Sequence, residues 1–246
     1  PNFSGPVPNV QIDATAFGAM NAGQIKVIGT TAGFGVKVGA ANANNGAITI
    51  DANGDVTVGT AYGSQGATIR ADGSVNANTL TTYGASTVSA RDDVALSKMT
   101  AAKEAVVSGR NVVLGDTVVG EKLTVTAGST IVTGQTGAVV GDASFTAGTG
   151  FANTDSWTVG GQLSISAATA GNAFGASLSG LAGTTITATD LRNYGTLYGG
   201  VVNVNLAGAL DNSLGSLLAK SAMTVAMNSL YSNSGGTIYV GDPNAA

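Results

Sequence analysis

Short runs of alternating apolar and polar residues recur along most of the chain. In the stretch GAITIDANGDVTV at residues 46–58, the triplet ITI (48–50) leads into an Asn-Gly corner, and the triplet VTV (56–58) follows. Alternation with a period of two is typical of a strand that buries one face, and Asn-Gly is a strong turn signal. Each such unit is therefore predicted to contain short strands joined at corners.

These triplets return at a nearly constant interval, which is the signature of a short-period repeat. They begin at Ile48, Thr68, Thr87, Val106, Leu123, Ala143, Leu163, Thr184, Val202 and Met223. One coil of this length cannot bury its inward residues alone, whereas stacked coils share a continuous core and pair through parallel strands. The sequence therefore predicts an all-β fold, a parallel β-helix with coils of about 20 residues.

Some twelve coils, spaced by the interstrand distance of about 4.8 Å, would form a rod roughly 55–60 Å long. Val, Ile, Leu and Ala are expected to point inward, and Thr, Ser and Asn outward. Three earlier strands are predicted at residues 10–12, 25–28 and 36–38. Two short segments have helical character: KMTAAKEA (98–105), predicted as an excursion with one helical turn, and LGSLLA (214–219), predicted as a coil with inward leucines.

Composition narrows the functions open to the chain. Only 10% of residues are charged, against about a quarter in an ordinary globular protein. The net charge is −4 and no basic stripe occurs, so nucleic-acid binding is not expected. Cys and His are both absent, which removes thiol chemistry, the commonest general base and the commonest zinc ligands. No metal site, cofactor or enzymatic activity is expected.

The first residues, PNFSGPVPNVQ, contain neither an initiating Met nor the basic and apolar regions of a signal peptide. The chain is therefore expected to be a piece of a longer protein. Residues 1–9 hold three of the four prolines and are predicted to form an extended arm before the regular part.

Residues 10–58 resemble the segment that follows the secretion domain in filamentous-haemagglutinin-like exoproteins of two-partner secretion systems. The matching residues are Asp13, Phe17, Gly18, Met20, Ala22, Ile25, Val27, Ile28, Gly29, Thr30, Ala32, Gly33, Gly35, Val36, Gly46, Ile50, Ala52 and Gly54. The rest of the chain resembles the family's haemagglutinin repeats in period and alternation. The secretion domain itself, with its Asn-Pro-Asn-type signatures, is absent, and Ala19 and Asn21 replace the usual Gly and Tyr. Recognition by the transporter is therefore not assigned to these residues.

The resemblance implies a right-handed β-helical shaft on a secreted protein of the bacterial cell surface. After the proline-rich arm at 1–9, it divides the chain into the end of a secretion-domain-like β-helix at 10–45 and continuous haemagglutinin-type repeats at 46–246. The implied function is the shaft of a filamentous adhesin, which holds a distal binding region away from the cell. The stick of a contact-dependent growth-inhibition toxin is the alternative.

The same resemblance implies partners for such a shaft. An outer-membrane transporter of the two-partner type would act during export. A host or bacterial surface receptor, or a matrix polysaccharide, would be bound afterwards. Exposed sheet edges at the ends of a β-helix also invite end-to-end association with a second copy.

Two groups of residues are candidates for binding or chemistry. Trp157, Tyr194 and Tyr198 could stack on sugar rings as a glycan-binding module, although large aromatics more often fill space in a core. A carbohydrate-active enzyme would need grouped carboxylates such as Asp92 and Asp93. Because Arg91 and Arg110 stand about one coil apart beside them, a solvated ion pair between coils is the preferred interpretation.

Overall fold

The computed structural model describes residues 10–15 and 19–241, and these form 26 β-strands and no α-helix. The strands that begin before residue 110 are β1 Val10–Asp13, β2 Ala19–Ala22, β3 Ile25–Gly29, β4 Gly35–Ala43, β5 Ala47–Ala52, β6 Val56–Gly63, β7 Gly66–Ala71, β8 Val75–Thr82, β9 Ala85–Ala90, β10 Val94–Ala101 and β11 Ala105–Gly109. Those after it are β12 Val112–Val119, β13 Leu123–Ala127, β14 Thr130–Thr133, β15 Gly137–Val139, β16 Ala143–Ala147, β17 Gly150–Asn153, β18 Ser156–Val159, β19 Gln162–Asn172, β20 Ser177–Gly180, β21 Gly183–Asn193, β22 Thr196–Leu206, β23 Ala209–Asp211, β24 Ser216–Ala226, β25 Ser229–Ser232 and β26 Thr237–Val240.

Some sequence predictions fall outside these described residues. They are the arm at 1–9, the matched residues Phe17 and Gly18, and positions 242–246 of the predicted repeats. Within the described part of the chain, no helix is long and apolar enough to cross a membrane.

Each coil contributes three strand segments, and equivalent segments of successive coils pair in parallel to build three faces. The first face runs from β3 through β5 and β7 to the end of β24. The second face runs from β1 and the start of β4 through β6 and β8 to β25. The third face runs from β2 and the end of β4 to β26. Long strands such as β19, β21 and β22 bend from one face to the next.

The distance along the chain between paired residues gives the coil length. The coil from Ala105 to its partner Leu123 is slightly shorter than the predicted period, and the coil from Ile25 to its partner Ile48 is longer. The predicted all-β solenoid of stacked parallel coils is confirmed, with about 11 turns rather than twelve. At an interstrand spacing of about 4.8 Å, these turns span roughly 50 Å. The right-handedness of the solenoid stays a prediction.

The predicted segment KMTAAKEA is not helical. Its first residues, Lys98–Ala101, end β10 and pair on both sides with β8 and β12. Met99 and Ala101 are buried while Lys98 is exposed, so the segment keeps the period of a strand. The prediction was wrong because so short a helix is marginal without tertiary support, whereas the strand gains two parallel ladders and a core contact.

The segment LGSLLA belongs to a coil, as predicted, but only one of its leucines points fully into the core. Leu217 is fully buried in β24. Leu214 is 67% exposed and has a φ of 60°, a left-handed conformation that turns the corner before the strand. The corner geometry therefore decides which leucine is inward.

The interior is mainly aliphatic, with one aromatic layer. Phe145 packs against Phe151 and Trp157, with ring centroids 5.3 and 5.4 Å apart. The indole N–H of Trp157 donates to the carbonyl of Gln135 over 2.9 Å. Gly137 lies directly against the indole, because a Cβ at this position would overlap three of its ring atoms. Most Val, Ile, Leu and Ala residues in the strands point inward as predicted, but several aliphatic residues face solvent, among them Val113, Val118, Val140 and Leu181.

Asparagine departs from its predicted outward placement. A column of asparagines runs through the interior at the corner between the second and third faces, and each Nδ2 donates to the Oδ1 of the next at 2.7–2.9 Å. The asparagine ladder consists of Asn153, Asn172, Asn193, Asn212 and Asn233. The first four are buried, and their Nδ2 atoms also donate to backbone carbonyls of the following corner. Burial is tolerated because both ends of each amide are hydrogen-bonded.

Candidate functional site

The structure separates the three aromatic residues proposed as a glycan contact. Trp157 is fully buried, so no face of its indole is open to a sugar ring, and the candidate sugar contact at this residue is corrected to core packing. Tyr198 is half-buried at the start of β22, on the third face. Tyr194 is 36% exposed just after β21 and borders a cavity that neither of the other two lines.

The cavity at Tyr194 has a volume of about 310 Å³ and lies on the second face. Its lining residues are Asp190, Leu191, Arg192, Tyr194, Ala209, Asp211 and Tyr231. A second cavity of about 240 Å³ shares Asp190 and Arg192 with it and extends along the solenoid. This second cavity is lined by Phe151, Ala152, Thr169, Ala170, Gly171, Asp190 and Arg192. We call the two together the lateral groove.

The parallel register of the second face explains why these residues meet. Arg192 pairs with Gly171 on one side and with Asp211 on the other, so the three stand in one outward column. Gly171 leaves the floor of this column open, since a Cβ built there would meet only the carbonyl oxygen of Phe151, at 3.7 Å. The groove crosses five coils from β17 to β25, a span of about 19 Å at the interstrand spacing.

Hydrogen bonds hold one wall of the lateral groove. The hydroxyl of Tyr194 donates to Asp211 Oδ2 over 2.9 Å, and Asp211 Oδ1 accepts from both the backbone N–H and the hydroxyl of Ser213. The bonds from Ser213 are the main reason that the pKa of Asp211 lies below its usual value. The bond to Asp211 raises the pKa of Tyr194. At neutral pH the groove therefore presents an ionised carboxylate and a neutral phenol in fixed positions.

The remaining charged side chains of the lateral groove, Asp190 and Arg192, are less restrained. Asp190 Oδ1 accepts the backbone N–H of Ala209 from the next coil over 2.8 Å. Arg192 is exposed and makes no ion pair within 4.0 Å among the residues that the structure describes. Tyr231, 78% exposed, closes the far end. The groove therefore offers acceptors, a fork of guanidinium donors and two phenol rings to a ligand on the outside of the rod.

Sequence reasoning missed Asp190, Arg192, Asp211 and Tyr231. The repeat length contained part of the signal, because Arg192 and Asp211 stand one coil apart and pair across that coil boundary. Applying the period to charged residues as well as to apolar ones would have placed these two side by side. The same period does not place Tyr231 beside Asp211. The pairing of β23 with β25 shifts register between Leu210 and Asp211, so Asp211 pairs with Ser232.

The second predicted group, around Asp92 and Asp93, is the expected ion pair between coils. Arg110 Nε and Nη2 each lie 3.2 Å from Asp93, and Nη1 lies 3.7 Å from Asp92. Asn111 also donates to Asp93 Oδ1 over 2.9 Å. The bond from Arg110, followed by that from Asn111, lowers the pKa of Asp93. Arg91 reaches only 4.0 Å from Asp92 and is largely exposed, so this cluster is a solvated surface network.

Comparison with known proteins shows a short region of similarity. Over 57 residues, 23% of this chain, the sequence is 42% identical to the tRNA nuclease CdiA of Yersinia mollaretii. The chain covers about 2% of the length of that relative. No protein-family model and no solved structure matches the chain. The chain is thus similar to a short segment of a very long protein, and its described residues form a β-solenoid.

Proposed function

We propose that the chain is a segment of the extracellular shaft of a bacterial surface protein exported by two-partner secretion. The observation that carries this proposal is the unbroken stack of about 11 parallel coils around a single core. Such a stack extends in one direction, because each coil adds about 4.8 Å along one axis and contacts only its neighbours. The resemblance of residues 10–58 to filamentous-haemagglutinin-like exoproteins and the match to CdiA support the secretion route.

Absence of cysteine supports the same proposal. A chain with no Cys forms no disulfide, so nothing covalent obstructs its passage through a transporter in an unfolded state. We further propose that the chain itself is not an enzyme. The network of Arg110 with Asp92 and Asp93 is a solvated set of ion pairs between coils, and buried polar side chains such as Thr133 and Asn153 are already hydrogen-bonded.

An antibody against this chain tests the location and the route. We expect it to label intact, unpermeabilised bacteria that carry the gene, and we expect the label to disappear when the gene for the partner transporter is disrupted. Labelling that appears only after permeabilisation would contradict the proposal.

The shaft of an adhesin and the stick of a growth-inhibition toxin are two forms of this proposal, and the matched relative favours the second. That relative is named as a nuclease, while the matched segment is a small fraction of it, which fits a toxic region carried elsewhere on a long chain. Co-culture of the wild-type strain and a strain lacking the gene with a susceptible neighbour separates the two. A toxin stick predicts loss of killing, and an adhesin predicts loss of attachment with killing unchanged.

A further inference from the structure

The lateral groove has the size and composition of a ligand site that the role of a spacer does not require. Its two cavities, of about 310 and 240 Å³, are contiguous through Asp190 and Arg192. The larger one alone reaches the lower end of the range for small-molecule sites, about 300–1,000 Å³. Two tyrosines, two aspartates and an arginine converge there in a chain with only 10% charged and 5% aromatic residues. The charged cluster of Asp92, Asp93 and Arg110 is closed by its own ion pairs, whereas Arg192 in the groove makes none within 4.0 Å among the residues that the structure describes.

We propose that the lateral groove binds a neutral oligosaccharide that lies along the axis of the solenoid. Tyr194 and Tyr231 supply flat rings with polar tips, which suit the apolar faces of sugar rings. Asp190 and Asp211 supply acceptors for sugar hydroxyls, and the guanidinium of Arg192 supplies donors. The open floor at Gly171 continues the path over further coils.

Charge selects the class of saccharide. The groove carries two carboxylates against one guanidinium, and Asp211 is held ionised by its bonds to Ser213 and Tyr194. A ligand with carboxylate or sulfate groups would meet like charge, which disfavours binding. A neutral hexose chain meets no such repulsion and uses both kinds of hydrogen-bonding group.

The backbone of the groove argues against an extended peptide as the ligand. Peptides that add to a sheet need an unpaired strand edge that offers free N–H and C=O groups. The floor strands β19 and β21 are each paired on both sides, and the groove runs across them rather than along an edge. Recognition must therefore come from side chains, as it does for sugars.

An array of oligosaccharides tests the proposal with the full chain. The probes are cello-, manno- and galacto-oligosaccharides as neutral ligands, and oligomers of galacturonic acid as acidic ones. We expect the wild type to bind at least one neutral series. Two variants, Tyr231→Ala, which removes a ring, and Gly171→Leu, which fills the floor, are expected to weaken this binding by about tenfold or more, as the loss of a stacking contact or of the open path requires.

Two matched controls keep the result interpretable. Tyr83→Ala removes a tyrosine that is 63% exposed far from the groove, and Gly128→Leu adds a side chain where a Cβ would contact only the backbone of Arg110, no closer than 3.8 Å. Both should bind as the wild type does, and circular dichroism should show the same β signal for all variants. The proposal would be overturned if the wild type bound none of the neutral probes, if it bound the acidic oligomers alone, or if folded Tyr231→Ala bound as well as Tyr83→Ala.

Discussion

At the scale of single residues, the fold depends on positions where a side chain of one coil packs directly against the backbone of the next coil. Asp55, Asp142 and Asp190 each accept a backbone N–H from the following coil over 2.8 Å. In each case a glycine stands just before that N–H, and a Cβ on it would meet the carboxylate. Local sequence patterns do not reveal these pairs, because the partner of each aspartate lies 19 or 20 positions away.

Gly137 provides the clearest test of such close packing. The substitution Gly137→Ala places a methyl group inside the indole of Trp157, which has no exposed side to move into. Overpacking of this kind costs about 1–3 kcal/mol of unfolding free energy. Urea denaturation followed by tryptophan fluorescence should show that loss.

Gly134→Ala is the matched control for this substitution. The nearest heavy atom to a Cβ at Gly134 is the carbonyl oxygen of Leu114, at 3.9 Å. This variant should be as stable as the wild type or slightly more stable, since alanine restricts the unfolded chain. Equal stabilities of the two variants would contradict the packing described for Trp157.

At the scale of elements, the asparagine ladder is the feature that sequence patterns predicted least well. Binary patterning assigns a polar residue to the outside, but four of the five ladder asparagines are buried. Their inward position is stable because the coil spacing brings each amide within hydrogen-bond distance of the next, which a single coil does not reveal. The regular spacing of successive members was visible in the sequence, as was the glycine soon after several of them.

Asn193 lies in the middle of this ladder, and Asn193→Ala removes one acceptor and one donor at once. Asn172 loses the partner of its Nδ2, and Asn212 loses the donor to its Oδ1. A buried polar group left without a partner costs about 1–3 kcal/mol, so a loss of at least about 2 kcal/mol in unfolding free energy is expected. The control Asn205→Ala changes an exposed asparagine of the neighbouring strand β22 and should alter stability by less than about 0.5 kcal/mol. Similar losses for the two would show that the ladder does not stabilise the fold.

The ion pair between Asp93 and Arg110 predicts a dependence on pH. The pKa of Asp93 is lower in the folded protein than in the unfolded chain, mainly because of its bond with Arg110. Its stabilising contribution is therefore fully present above about pH 4, the ordinary pKa of aspartate, and is lost as the pH falls through the depressed value. The melting temperature of the wild type should exceed that of Asp93→Asn at pH 7, and the gap should close below pH 4.

Salt provides a second check on this pair. Because both side chains are about half exposed, the difference in melting temperature at pH 7 should be small and should narrow further at about 1 M salt, where the Debye length is about 3 Å. If the difference in melting temperature between the wild type and Asp93→Asn is constant from pH 7 to pH 3, the pair contributes no charge-dependent stability.

At the scale of the whole molecule, the repeat period alone was enough to predict the solenoid. Strand alternation that returns once in every coil leaves few other ways to bury the apolar face of each unit. Register was less accurate: the predicted starts at Thr68, Thr87 and Val106 stand in the column of Thr49, one residue beyond that of Ile48. The lateral groove could not be predicted, because it depends on which outward residues of five separate coils share a column.

Removal of one whole coil should be tolerated if each coil contacts only its neighbours. Deletion of residues 67–85 joins Gly66 directly to Ser86. Ser86 normally pairs with Ala67 in the preceding coil, so in the variant it takes the position of Ala67 and every later column is preserved. We expect this variant to unfold cooperatively and to have a β-type circular dichroism spectrum of the same shape as that of the wild type. Deletion of residues 67–75 shifts every column and should abolish cooperative unfolding. Equal behaviour of the two deletions would contradict a stack held in register.

Distances between spin labels test the stacking of coils most directly. The chain has no Cys, so pairs of cysteines introduced on the first face can be labelled without interference. Thr49 stands four rungs from Thr124 and seven rungs from Thr185 in one column. Pulsed electron paramagnetic resonance should give backbone separations of ~19 and ~34 Å, rising by about 4.8 Å for each rung. Separations that do not increase with the number of rungs would contradict the solenoid and, with it, the proposed shaft.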